Sequence, residues 1–284
     1  MTAPIVVATD FSTRSDRAVR RAMMLAKQCD AELMLVHVVD DDQPAYLVDA
    51  QIAAARALLD EIAETLRQID GVAARTKVAS GDAFVGILTA ADEVNGRLIV
   101  MGPHRRLLRN AFAGTTVERT IARSRRPVLM AAGVPSAPYD RVLIAVDLDD
   151  ASRSAAEQVR GLGLLQGTDV AVMHAFDAPA EGMMKRAMSE PEAIDHYVAG
   201  EERRADARFE AFLGEVGLGA ARQLLVPING TAARTILECA RAENAALIVV
   251  GTRQRSGLKR FLLGNSAEEI LADADRDTLI IPQP

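Results

Sequence analysis

Residues 249–269 read VVGTRQRSGLKRFLLGNSAEE: an apolar run, a glycine, a basic stretch, then Gly-Asn-Ser opening an acidic, apolar helical pattern. Such a layout can hold phosphate, because a helix N-terminus presents unpaired N–H groups and the positive end of its dipole. The candidate residues there are Val250, Gly251, Arg253, Gln254, Gly264, Asn265 and Ser266. A corresponding stretch earlier in the chain offers Met101, Gly102, His104, Gly114 and Thr115, with Arg105, Arg106 and Arg109 as cations able to clamp phosphate or simply to face solvent. Two short apolar runs end beside a carboxylate: IVVATDFS places Thr9 and Asp10, and LIAVDLDD places Asp147. His104 lies in one of the loops, but a general base would need a partner that the sequence does not supply. There is no GxxxxGK[ST] run, no HExxH and no metal-type cysteine spacing. GLGLLQ (161–166) lacks the third glycine of a dinucleotide fingerprint and ends a helical pattern instead of following a strand.

The elements that must position these residues occur twice. IVVATDFS (5–12) pairs with LIAVDLDD (143–150), and LMLVHVVD (33–40) with VAVMHAFD (170–177), which puts His37 and His174 in register. LIVMG (98–102) then matches LIVVG (247–251), and GTTVERTIARS (114–124) matches GNSAEEILADA (264–274). Four segments repeated in the same order indicate a duplicated domain, with AAGVPSAPYD (131–140) as the connector and units at 1–135 and 139–284. In the first unit, apolar runs near 4–9, 32–39, 72–78, 97–101 and 127–131 read as buried strands. Helical spacing covers 15–29, 44–70, 83–94 and 115–124, with Ser15 as the expected cap of the first helix. Strands near 141–146, 169–175, 221–226, 247–250 and 278–281 repeat the pattern. Val/Ile/Leu-rich strands alternating with helices predict an α/β fold of two doubly wound, open, parallel five-stranded sheets. Ligands in such sheets sit beyond the carboxyl ends of the strands, where the winding reverses. His37 and His174 fall within strands, where packing or hydrogen bonding is their expected role.

Composition bounds the function. At 284 residues, with 25% charged and 49% hydrophobic residues, the chain reads as globular, and its apolar runs are too short to span a membrane. No basic residue precedes the first short apolar run, and Cys29 and Cys239 are far apart, so a cytoplasmic protein is expected. Residues 1–137 carry 17 Lys/Arg against 16 Asp/Glu and the remainder 16 against 23, an acidic second half that argues against nucleic-acid binding.

The ordered set of strand-end aspartates, the HVV(D)-type second strand and the Gly-loop-Gly-polar stretch resembles the universal stress protein family, and does so in both halves. The resemblance implies a tandem member with adenine nucleotide α-hydrolase-like, Rossmann-like units. Nucleotide-binding members carry Gly-x2-Gly-x9-Gly-[Ser/Thr] in the last loop. Carried over, the second unit has Gly251, Gln254 for the second glycine, nine residues, Gly264, Asn265 for the hydroxyl residue, and then Ser266. The first keeps Gly102, Gly114 and Thr115, but has Arg105 for the second glycine and eight residues in between. The resemblance further implies that Asp10 or Asp147 meets base or ribose, and that backbone at Val38 or Ala175 holds the adenine edge. ATP, with Mg, is the implied cofactor. Asp149, standing where Ser12 stands, adds an unfavourable negative charge near a bound anion. Single-unit members dimerise through their last strand, so the two units are expected to form an internal pseudo-dimer with PVLMA (127–131) against TLIIP (278–282). Association of whole chains into a homodimer stays open.

Three functions remain from sequence: an adenine-nucleotide-binding stress sensor with slow or no hydrolysis, a stress protein working through contacts with unknown protein partners, and a small-molecule enzyme on the same fold.

Overall fold

The computed structural model describes residues 2–103, 114–188, 190–252 and 264–283. Its first half runs β1 (Thr2–Ala8), α1 (Thr13–Cys29), β2 (Ala31–Val39), α2 (Ala45–Thr65), β3 (Ala74–Ser80), α3 (Ala83–Glu93), β4 (Leu98–Met101), α4 (Thr116–Arg123) and β5 (Val128–Met130). The second runs β6 (Arg141–Val146), α5 (Asp150–Gly161), β7 (Asp169–Phe176), α6 (Glu181–Arg186), α7 (Pro191–Glu215), β8 (Arg222–Pro227), α8 (Ala232–Ala242), β9 (Leu247–Thr252), α9 (Asn265–Asp273) and β10 (Asp277–Pro282). The helical spacing expected over 44–70 is α2 followed by a π-helical turn, Leu66–Asp70, closed by Gly71 at φ 67°.

Among the described residues, ten strands join one sheet in the order β3-β2-β1-β4-β5-β10-β9-β6-β7-β8. Within each half the pairings are parallel, and the order reverses between β1 and β4 and between β6 and β9. The halves meet where β5 and β10 pair antiparallel, Leu129 opposite Leu279 and Val128 opposite Ile280. The two expected five-stranded sheets are thus continuous across the internal pseudo-dyad, and the two last strands leave no open edge at the centre.

Strand residues alternate between two cores. Ile5, Val7, Leu33 and Leu35 join α1, α2, α5 and α7 on one face, while Val6, Met34 and Val36 join α3, α4, α8 and α9 on the other. A period of two with both faces apolar is why the strands read as unbroken Val/Ile/Leu runs.

Hydrogen bonds add to the contact between halves. Arg97, Cys29 and Gln28 donate to the carbonyls of Gly161 (2.8 Å), Leu162 (3.2 Å) and Gly163 (3.3 Å), so first-half side chains cap the end of α5. The linker is held by Asp277, which accepts from Gly133 N–H at 2.8 Å and from Tyr139 O–H at 2.6 Å.

One local expectation is corrected. The N-cap of α1 is Ser12, whose hydroxyl accepts from Ser15 N–H. Ser15 is buried inside the first turn, and its own hydroxyl donates to Ser12 C=O at 2.9 Å. The period of the apolar stripe locates the helix but not its first turn, because α1 begins before its first buried residue.

Candidate functional site

The reversals of winding open a cleft at the carboxyl ends of the central strands in each half, and the two clefts are built by the same rules. Asp10 and Asp147 follow the ends of β1 and β6, and the next residue in each case is a bulky one in the left-handed region: Phe11 at φ 60° and Leu148 at φ 54°. Only Gly adopts that region freely, so each chain turn carries local strain of about 1–3 kcal/mol that the surrounding packing offsets. The turn aims the aspartate outward and sends the chain into α1 or α5. Ser12 and Asp149 then occupy equivalent N-cap positions, Asp149 Oδ1 accepting from Ser152 N–H at 2.8 Å. The carboxylate of Asp149 therefore serves α5, a role that its charge alone did not suggest.

Buried hydroxyls tie these turns down. Ser15 Oγ lies 3.0 Å from Thr9 Oγ1, and its counterpart Ser152 accepts from Asp147 N–H at 2.8 Å. Asp10 Oδ1 accepts from the Ser12 hydroxyl at 2.6 Å and from Ser12 N–H at 3.0 Å. Partial burial pushes the Asp10 carboxyl up, but the hydrogen bonds from Ser12 and Ser15 outweigh it, leaving Asp10 below the usual carboxylate range.

The glycines at the ends of β4 and β9 have a packing cause. A Cβ on Gly102 would stand 2.7 Å from Arg14 C=O oxygen, and one on Gly251 would stand 2.8 Å from that of Ala151. Each glycine lets the first turn of a helix lie directly on the strand end. Gly264 differs: its φ is −60° and nothing lies within 4 Å of a Cβ built on it.

The second cleft, about 310 Å3, is lined by Asp147, Ala175, Val250, Gly251, Gly264, Asn265 and Ser266, every expected second-half residue that the structure describes. Gly264 is the N-cap of α9 and Asn265 and Ser266 form its first turn, both exposed. Sequence reasoning missed Met173, Ile228 and Ile236 in the wall of this cleft; the strand pattern gave Met173 as core without showing that it also floors the cleft. Arg253 and Gln254 lie outside the described residues.

The first cleft, about 150 Å3, gathers Thr9, Asp10, Val38, Met101 and Gly102, together with His37 and Ile87, which had not been assigned to it. The in-register pair His37 and His174 was the available signal. Gly114 and Thr115 are not brought to its wall; Thr116 and Val117 are. Thr115 forms a capping box instead, its hydroxyl accepting from Glu118 N–H at 3.2 Å while its own N–H donates to Glu118 Oε2 at 2.7 Å. His104, Arg105, Arg106 and Arg109 lie outside the described residues.

The two strand histidines do hydrogen-bond as expected. His37 Nδ1 lies 2.8 Å from Thr9 C=O and His174 Nδ1 lies 3.0 Å from Val146 C=O. Among the described residues no three His, Cys, Asp or Glu side chains converge to hold a metal, and no helix is long and apolar enough to cross a membrane.

Known proteins share this architecture. A universal stress protein of Methanocaldococcus jannaschii is 28% identical over 152 residues, covering 51% of this chain and 84% of that one. One from Mycolicibacterium smegmatis is 23% identical over 300 residues, 98% of this chain and 96% of its own. The crystal structure of a universal stress protein from Archaeoglobus fulgidus superposes with a TM-score of 0.74 over 100% of both chains at 19% identity, which shows the shared fold. The sequence profile of the universal stress protein family matches residues 1–132 and again 138–282. With the family pattern satisfied twice along its length, the chain belongs to the universal stress protein family.

Proposed function

We propose that this protein is a cytoplasmic stress-response sensor, built of two units at 1–135 and 139–284, that binds an adenine nucleotide in its second half with slow or no hydrolysis. The observation that carries the reading is the convergence of Asp147, Ala175, Gly251 and the α9 N-terminus, Gly264–Ser266, on a single cleft. A nucleotide fits this donor set. Asp147, exposed at the end of β6, would accept from ribose hydroxyls or a base amine, and backbone at Ala175 would meet the adenine edge over the apolar floor of Met173 and Ile236. Gly264, with open space where a Cβ would stand, and the N–H groups of Asn265 and Ser266 would face phosphate. The phosphates would carry Mg with them, since Mg typically binds through substrate oxygens and few protein ligands. A switch rather than a hydrolase suits the lining, whose only titratable side chains among the described residues are Asp147 and Asp149.

One observation favours the alternative, a member that works through protein contacts. Gly251 is required by the approach of Ala151 whether or not anything binds, so retention of that glycine does not by itself argue for a ligand.

Denaturing freshly purified protein and identifying released nucleotide by chromatography, followed by calorimetric titration with Mg-ATP, separates the two. Bound or titratable adenine nucleotide is expected, with Asp147→Ala weakening it at least about tenfold, the loss of one charge-assisted hydrogen bond of ~1.5–3 kcal/mol. Protein that is empty and does not bind added Mg-ATP overturns the nucleotide reading.

A further inference from the structure

The helix α2 packs one stripe onto the first half's core, burying Val48, Ala55 and Leu59. Its outward face over residues 46–58 is apolar as well. Tyr46, Leu47, Ala50, Ala54, Ala57 and Leu58 are all exposed there, Tyr46 at 71%, and they recur at the three- and four-residue spacing of a single helix face. Apolar side chains scattered singly over a surface need no explanation, but a contiguous exposed patch marks an interaction surface. The second half supplies the comparison. There α7 and the residue that ends it bury Ala205, Phe209 and Val216, where the first half buries Ala55, Leu59 and Leu66, so the two duplicated helices have the same phase. In that phase Arg203, Arg204 and Arg208 stand exposed where Ala53, Ala54 and Leu58 stand exposed in α2. One helix therefore turns guanidinium groups to solvent and the other turns methyl and isobutyl groups, although both cover the sheet alike.

We infer that the outward face of α2 is a self-association surface, on which α2 of a second copy of this chain packs antiparallel about a two-fold axis passing between Ile52 and Ala53. Charge and shape give the same register. Asp49 and Arg56 flank the apolar face on one side, two turns apart, and among the described residues neither makes an ion pair or a side-chain hydrogen bond. Antiparallel packing about that axis sets Asp49 against Arg56 of the second copy, and does so twice, because a two-fold interface repeats every contact. It also sets Leu47 against Leu58 of the second copy on the opposite flank. The alanines between them let the helix axes approach to the near end of the usual ~8–10 Å. Glu61 and Glu64 end the apolar stretch, so a longer overlap would cover carboxylates. Exposed ion pairs add little affinity, and here they select the orientation: parallel packing would set Asp49 against Asp49 and Arg56 against Arg56. A single helix pair lies at the small end of specific interfaces, below about 1,200 Å2, so the association is reversible. An anionic lipid surface is the wrong occupant, since α2 carries one arginine and no lysine against Asp49, Asp60, Glu61 and Glu64. No residue of α2 lines either cleft, so the inference does not depend on the nucleotide reading.

The test is sedimentation equilibrium of the full chain over a concentration series from micromolar to millimolar. The wild type is expected to pass from monomer to dimer within that range. Ala54→Arg, which copies the residue found at the equivalent place in α7, is expected to stay monomeric, and Arg204→Ala to associate as the wild type does. Asp49→Arg and Arg56→Asp each set like charges together twice and are expected to weaken association at least about tenfold. Mixed in equal amounts, these two variants should associate with each other, because each supplies the charge that the other's changed residue now faces. That rescue requires both to be folded and the helices to be antiparallel; circular dichroism checks the fold of each variant separately. A wild type that stays monomeric throughout would overturn the inference and leave the face to a different protein. Association that survives in Ala54→Arg would place the contact elsewhere and overturn it too. Failure of the two folded charge variants to associate when mixed would overturn the antiparallel register.

Discussion

Arg21 Nε lies 2.7 Å from Asp277 Oδ2, joining α1 of the first half to the first residue of β10 in the second, with both side chains at 6% exposure or less. Asp277 also accepts from Tyr139 and Gly133, while Arg21 donates to Ala137 C=O at 2.8 Å and lies 4.2 Å from the Tyr139 ring. One carboxylate thus ties α1 and β10 to two points of the linker. Removing one partner of a buried pair leaves the other charge unpaired, so Asp277→Ala is expected to cost about 3–5 kcal/mol in denaturant unfolding. Asp277→Asn, whose single amide oxygen can still accept from Gly133, is expected to cost less. Equal losses in the two variants would show that the charge, absent from both, carries the whole effect.

Tyr139 gives the same cluster a pH signature. Burial, and then the charge of Asp277, push its phenol well above the ordinary value of 10.0. The raised value means that the folded state holds the proton where the unfolded state has released it. The contribution is therefore fully present below about pH 10 and is lost as pH rises from there through the folded value. Unfolding free energy measured from pH 8 upward is expected to fall beyond about pH 10 in the wild type, and to fall less steeply in Tyr139→Phe.

Gly251 and Gly264 are expected to respond oppositely to alanine. Gly251→Ala sets a methyl 2.8 Å from backbone oxygen of Ala151, which cannot swing away as a side chain would. Overpacking of this kind typically costs about 1–3 kcal/mol, and here it would lift α5 from β9. Gly264→Ala meets nothing within 4 Å and loses at most the difference between Gly and Ala at an N-cap, about 1 kcal/mol. Its effect should appear in the affinity for Mg-ATP instead. Thermal unfolding and calorimetry on the two variants measure both quantities.

The strained turn at Leu148 can be isolated from its packing. Leu148→Ile and Leu148→Met keep nearly the same volume, and such swaps usually cost below about 1.5 kcal/mol. At φ 54° the β-branched variant adds backbone strain beyond that which leucine already carries. Leu148→Ile is expected to lie outside that range and Leu148→Met inside it, read from denaturation midpoints at unchanged m-value.

By itself the sequence determined the strand–helix order and the duplication, because apolar periodicity and repeated segments are local and survive in one dimension, while the pairing of 127–131 with 278–282 was what the family resemblance implied. It also located the second cleft, since Asp147, Gly251 and Gly264–Ser266 each end or open an element and all elements end on one side of a parallel sheet. Tertiary structure decided the rest. It made Ser12 the cap and buried Ser15, because helix phase is set by which residues face β1 and β4, not by the stripe alone. It drew Thr115 into a capping box and away from the first cleft wall, and it turned Gly102 and Gly251 into points where a helix touches a strand end. The pairing of Arg21 with Asp277 across 256 positions, and the capping of α5 by Arg97, Gln28 and Cys29, were beyond one-dimensional reading. Such contacts depend on where two separately folded surfaces meet, and that geometry leaves no spacing in the chain.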